Sequence, residues 1–144
     1  MTGVQTCALP ICAREAIQSI KSTGARTCIV SGGIDLLADH IGEICGVDRV
    51  ISNGLRTDEQ GKLIGDGILR VELRDKASAL LSIAKAFDID PAKCAAVGNS
   101  WVYVSMFEVC GLGIAFNPID SKTITEADVV VESNDLRDIL PHLD

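Results

Sequence analysis

"AAVGNSWVYVSMFEVCGLGIAFNP", Ala95 to Pro118, is the stretch on which the reading of this chain turns. Two short apolar runs, one ending at Val97 and one at Phe116, bracket a segment of helical length that stops at Gly111. A strand, a turn at Gly98-Asn99-Ser100, a helix and a second strand make one βαβ unit, and strands joined in this way run parallel. In an open sheet of such units, ligands bind beyond the C-terminal ends of the strands. Here that position is Val97 to Phe107, "VGNSWVYVSMF", and no Asp or Glu occurs between Asp90 and Glu108.

The rest of the chain alternates in the same way. "AREAIQSIKSTG" puts Ala13, Ala16, Ile17 and Ile20 on one helical face and stops at Gly24. "ARTCIV" is a strand ending at Ser31. "GGIDLLADHIGEICG" follows as a helix, with Ile34, Leu37, Ile41, Ile44 and Cys45 expected inward and Gly46 as its C-cap. "RVISNGL" is a strand, and "RTDEQGKLIG" a hairpin turning at Glu59-Gln60-Gly61. The next helix carries Ala77, Leu80, Leu81, Ala84 and Phe87 at helical spacing. After the opening unit come "SKTITEA", a helix or turn, the strand "DVVVE", and a closing helix "SNDLRDILPHL" capped by Ser133 or Asn134. The pattern predicts an α/β fold with a doubly wound, mostly parallel sheet.

The 144 residues suffice for one domain with a real core. Aromatics make up only 3%, so Val, Ile, Leu and Ala must fill it. The net charge of −7, with no basic block or stripe, argues against nucleic acid and anionic membranes as partners. It leaves room for a small phosphorylated metabolite, which needs few donors. No apolar run is long enough to span a bilayer. Six cysteines include no CxxC pair; Cys28, Cys94 and Cys110 read as small core residues, and a reducing cytoplasm is the expected compartment. The start lacks a basic segment, which argues against a secretory signal. Oligomeric state is left open.

Three loops would meet at the C-terminal ends of the strands. The first is "VSGG", where Ser31 offers a hydroxyl and Gly32 and Gly33 let backbone amides approach an anion at a helix N-terminus. Alternatively, Ser31 simply caps the helix over a tight turn. The second holds Lys76, in the first turn of a helix, where the macrodipole disfavours a cation and an ionic partner would make sense. Alternatively, it is a solvated surface lysine. The third is Gly98-Asn99-Ser100. There the plain alternative is that Ser100 caps a helix while Trp101, Val104 and Val109 pack inward.

Taken in order, "VSGGIDLLADHIGEICGVDRVISNGL", the Lys76 helix, the opening stretch and "ADVVVESNDLRDIL" resemble the haloacid dehalogenase (HAD) superfamily, most of all its phosphoserine phosphatase branch. The resemblance runs from about Ala13 to Leu143. It implies a HAD-type Rossmannoid sheet and hydrolysis of phosphate monoesters through an aspartyl-phosphate, with an Asp of a DxD motif as nucleophile. It implies that Ser31 and the amide of Gly32 hold phosphoryl oxygens and that Lys76 neutralises charge. It also implies Mg²⁺, held in the family by the first motif and by a GDxxxD motif.

Two departures stand out against that resemblance. Nothing upstream of Glu15 is acidic, so the DxD strand and the cap domain that usually follows it are expected to be missing. Asn99 and Tyr103 stand where the family has its two metal-binding carboxylates, and Val102 replaces a further polar residue. Asn keeps an oxygen but not the charge a hard cation prefers. Residues 1–11, "MTGVQTCALPI", match the translation of a common sequencing-library adapter. Residues 1–12 are therefore read as a non-native leader and 13–144 as a partial HAD phosphatase core.

These readings carry structural expectations. The strand at Arg26–Val30 and that at Lys93–Val97 should lose their shared central neighbour. They would pair directly, or "GVQTCALPI" would enter the gap, where Pro10 fits poorly. Stability should be marginal. Functionally the chain reads as a nearly inactive fragment of a phosphohydrolase. One alternative is a non-catalytic pseudo-phosphatase binding a phosphate-bearing small molecule through Ser31, Gly32 and Lys76. Another is an interaction protein presenting Trp101 and Tyr103.

Overall fold

In a computed structural model, residues 10–143 are described. Helix α1 (Ala13–Ser22) leads into β1 (Cys28–Ile34), α2 (Asp35–Cys45), β2 (Arg49–Thr57) and β3 (Leu63–Ile68). Then come α3 (Lys76–Ala86), β4 (Ala95–Gly98), the short α4 (Val104–Phe107), β5 (Leu112–Phe116), α5 (Ser121–Glu126) and β6 (Val129–Val131). A 3₁₀ segment, Leu136–His142, closes the chain.

Strand β1 runs parallel to β2, and β2 antiparallel to β3; β4, β5 and β6 are all parallel. Among the described residues these form two three-stranded sheets, β1-β2-β3 and β4-β5-β6. Direct pairing of β1 with β4, one of the two ways expected for closing the gap, is therefore not seen among them. The other way falls mostly on residues 1–9, outside the described part. Pro10 and Ile11 are described. Ile11 bridges to the C-terminal segment, its amide donating to the Asn134 carbonyl at 3.0 Å.

Helices cover both faces of the sheets, as in a doubly wound fold. On one side Leu80 of α3 and Val104, Met106 and Phe107 of α4 form a core with Ala96, against which Val30 of β1 packs. On the other, Ile114, Phe116, Val131 and Ile139 form a second core with Ile20 of α1. Strand β5 is the innermost, with Ile114 and Ala115 fully buried.

Several sequence expectations need correction. In α2, Ala38, Gly42 and Cys45 are buried, while Ile34, Leu37 and Ile44 are exposed. The helix lies so close to β2 that a Cβ on Gly42 would sit 2.5 Å from the Val50 methyl, so small residues take the contact. In α3, Leu81 faces solvent, and Ala79 and Ile83 join the buried face. The helix expected over 100–111 is a 3₁₀ turn, Trp101–Tyr103, and then the single turn of α4. The C-terminal segment is 3₁₀ rather than α, and its cap is Asp135, whose carboxylate accepts from the Arg137 amide. Cys94 and Cys110 pack against the first core as expected; Cys28 is half-buried, and burial pushes its thiol up to about 11. Cys7 lies outside the described residues. Among those described, no helix is long and apolar enough to cross a membrane.

Candidate functional site

Strand β1 does not stop at Ser31. It continues through Gly32 and Gly33 to Ile34, with Ser31 paired to Ser52 and a register shift before Ile34. Helix α2 begins only at Asp35, and its N-cap Ile34 makes no side-chain cap. Gly32 and Gly33 are thus strand residues and not the first amides of a helix, and Ser31 is not a cap. The Gly33 amide donates to Ser31 Oγ at 3.0 Å. The reason for the extension is Asn53, which sequence reasoning passed over. Its Nδ2 donates to the carbonyls of Gly32 (3.0 Å) and Val71 (3.1 Å), and its Oδ1 accepts from the amides of Arg70 and Val71, both at 2.8 Å. With both ends of its amide engaged, Asn53 ties the glycine loop to the segment that leads into α3. Arg70 adds a bond to the Ser52 carbonyl at 3.0 Å and an ion pair with Asp35 at 3.3 Å.

Lys76 opens α3. Asp75 caps this helix, accepting from the amide (3.2 Å) and hydroxyl (2.6 Å) of Ser78. The Lys76 side chain points inward and is only 2% exposed, which removes the reading of a solvated surface lysine. Its ammonium lies 3.7 Å from the centroid of the Tyr103 ring. Among the described residues it makes no ion pair. Burial lowers its pKa to about 8. In the first turn of a helix, where the macrodipole disfavours a cation, the fold gives the ammonium an aromatic face, whose quadrupole attracts it, in place of an ionic partner.

Tyr103 owes its position to Gly98. A Cβ at that glycine would overlap Tyr103 Cβ and Cγ, so the ring rests on the bare backbone at the end of β4. Burial raises its phenol pKa. Tyr103 is thus not a surface contact residue, whereas Trp101 remains 42% exposed and does not pack inward. Ser100 stands at the N-cap position of the 3₁₀ turn without a side-chain cap, while Val104 is buried and Val109 packs on the core.

The turn itself is held from outside. The Ile119 amide donates to the Asn99 carbonyl at 2.8 Å, and the Trp101 amide donates to Asp120 Oδ2, also at 2.8 Å. Asp120 also caps α5 through the amide and hydroxyl of Thr123, both at 2.9 Å, and these bonds hold its pKa below the usual carboxylate range. It is the carboxylate that the local sequence lacked, delivered from a different loop. The signal for it was the D-S-K-T cap pattern preceding α5.

The residues present do not fit Mg²⁺. Asn99 is exposed and neutral, the Tyr103 ring is engaged between Gly98 and Lys76, and Asp120 already accepts three hydrogen bonds. Among the described residues no three His, Cys, Asp or Glu side chains converge to hold a metal. Hard cations want several anionic or carbonyl oxygens at once.

Comparison with known proteins bears on this arrangement. A phosphoserine phosphatase from Methanocaldococcus jannaschii is 37% identical over 134 residues, covering 91% of this chain and 62% of that protein. One from Idiomarina loihiensis is 33% identical, covering 89% and 58%. Among solved structures, a phospho-aspartyl intermediate analogue of phosphoserine phosphatase superposes with a TM-score of 0.81 at 34% identity, over 91% of this chain and 62% of that one. An unliganded probable phosphoserine phosphatase from Vibrio cholerae gives 0.85 at 27% identity, over 96% and 43%. The chain spans about 60% of the length of the first two relatives. A family model described as haloacid dehalogenase-like hydrolase matches residues 4–108, beginning inside the segment 1–12 that was set apart as a leader. With the family model matching most of its length and the fold in agreement, the chain belongs to the haloacid dehalogenase-like hydrolase family.

Proposed function

We propose that this chain is the greater part of the core of a phosphomonoester hydrolase of the phosphoserine phosphatase type, acting in its lineage on a small phosphorylated metabolite with Mg²⁺, and that the chain itself turns over little or nothing. The observation that carries the second half is the Lys76–Tyr103 stack at 3.7 Å, which occupies a position where the resemblance calls for a carboxylate. Two facts add support. Asn99 is neutral, and no carboxylate precedes Glu15 to serve as a nucleophile in this chain. Phosphoryl transfer is catalysed mostly by positioning and charge neutralisation, so loss of the metal's ligands and of the nucleophile leaves little to work with.

A second reading, a non-catalytic module that binds a phosphate-bearing molecule, is supported by the burial of Lys76, a cation without an ion pair among the described residues. Mg²⁺-dependent release of phosphate from phosphoserine and from p-nitrophenyl phosphate is expected at background. The double variant Asn99→Asp, Tyr103→Asp is expected to stay there too, because it restores no nucleophile. Turnover by the unaltered chain would overturn the proposal; rescue by the double variant would show that the nucleophile had been wrongly taken as missing.

A further inference from the structure

We infer that Tyr103 plugs the anion site from within: its ring holds the face of the Lys76 ammonium that a phosphoryl oxygen would otherwise take. This rests on the reading of Ser31, Gly32 and Lys76 as an anion site, and it adds a reason why that site is closed in the free chain.

The geometry leaves no space for both. A ring centroid 3.7 Å from Nζ is at van der Waals contact, so no oxygen fits between them. With Lys76 only 2% exposed, the remaining approaches to the ammonium are covered by protein. Nor does the ring stand free to swing aside. It is wedged against Gly98, where even one added methyl group would overlap it, and it packs against the core of Leu80, Ala96 and Val104. Its backbone is fixed as well. The Tyr103 amide donates to the Ser100 carbonyl at 3.0 Å, and the residues just before it are clamped to Ile119 and Asp120. An incoming phosphate must therefore break a cation–π contact and dislodge a packed ring, and its own bonds to Ser31 and Gly32 must outweigh both.

The other groups of the site remain approachable. Gly32 and Gly33 are exposed, and Ser31 is half-buried with its Oγ bonded only to the Gly33 amide among the described residues. Removing the ring should free the face of the ammonium that it covers. The ligand class is a phosphate dianion, free or as a small monoester.

The test is titration of ¹⁵N-labelled full chain with inorganic phosphate, followed at the amides of Ser31, Gly32 and Gly33. The unaltered chain and Tyr103→Phe, which keeps the ring, should show no saturable shift. Tyr103→Ala should show one, with affinity at least tenfold above the limit set for the unaltered chain. Adding Lys76→Met to Tyr103→Ala should abolish it. Tyr103→Leu, which keeps an apolar contact with Gly98 but withdraws the ring from the ammonium, gives the same reading should the alanine variant not fold. Equal binding by the unaltered chain and Tyr103→Ala would sink the plug while leaving the anion site standing. A folded Tyr103→Ala chain that binds no phosphate would sink both.

Discussion

Asp48 takes hydrogen bonds from the amide and hydroxyl of Thr27, at 2.8 and 3.1 Å, and pairs with Lys21 at 3.2 Å. It thereby pins the start of β2 to the ends of α1 and β1. The Thr27 amide is the main reason its pKa falls to about 2. An unfolded Asp titrates near 3.9. The folded pKa is the lower one, so the stabilisation is full above about pH 4 and is lost as pH falls through 2. Asp48→Asn is expected to cost about 1–3 kcal/mol at pH 7, in the range for hydrogen bonds to a charged group, and to flatten the loss of stability between pH 4 and 2. Urea melts across that range would show it. Single residues were unevenly legible in the sequence. Ser31, Gly32 and Lys76 could be singled out as candidates by their place at strand and helix ends, and Asn99 and Tyr103 by the resemblance to the family. Asn53 could not, because its partners lie 17 to 21 residues away and no local pattern marks it, and the D-S-K-T pattern marks Asp120 only as a helix cap, not as the partner of Trp101, 19 residues back.

Among the elements, strand β5 was plain from its apolar run, since a strand buried on both faces needs no alternation. The face of α2 was not. Periodicity ranks residues by bulk, whereas the helix approaches β2 through Ala38 and Gly42, leaving Leu36 and Leu37 outside. The helix expected after Gly98 was overlong for a related reason. A Cβ on Gly111 would run into the backbone of Ala92, so the chain passes close to the segment before β4 there, and the helix has already ended at Phe107. The contact between β4 and the turn after it can be measured. Gly98→Ala should destabilise by about 1–3 kcal/mol, the cost of overpacking a filled site. In a Tyr103→Gly background the same change should cost less than half as much, because both the ring and the Cβ it collides with are gone. A double-mutant cycle by chemical denaturation reads the coupling directly; additive costs would mean that the ring does not rest on Gly98.

For the whole molecule, the accessible surface is 9173 Å². A compact monomer of this mass is expected to expose only ~7100 Å². Large apolar side chains are among what is open: Leu36 and Ile119 are each 75% exposed, and Leu63, Leu69 and Leu73 are also open. Among the described residues β1 and β4 share a core through Val30 and Ala96 but lie in separate sheets. Such a chain should melt early and broadly and should bind a dye such as anilinonaphthalene sulfonate under native conditions. A single sharp transition at high temperature without dye binding would contradict this. That β1 and β4 would lose a shared neighbour is an expectation from the resemblance to the family; among the described residues no strand joins the two sheets. How much apolar surface would stay open could not be, because burial is a property of the assembled fold.

The clamp on Asn99 and Trp101 by Ile119 and Asp120 has a bearing on how this chain could change. The shape of the turn is specified by main-chain atoms on one side and by a distant carboxylate on the other. The side chains of the turn take no part in those bonds. The turn at 99 to 101 can therefore keep these bonds whatever side chains it carries, so its exposed positions can be rewritten, towards carboxylates or away from them, without this clamp having to be built again.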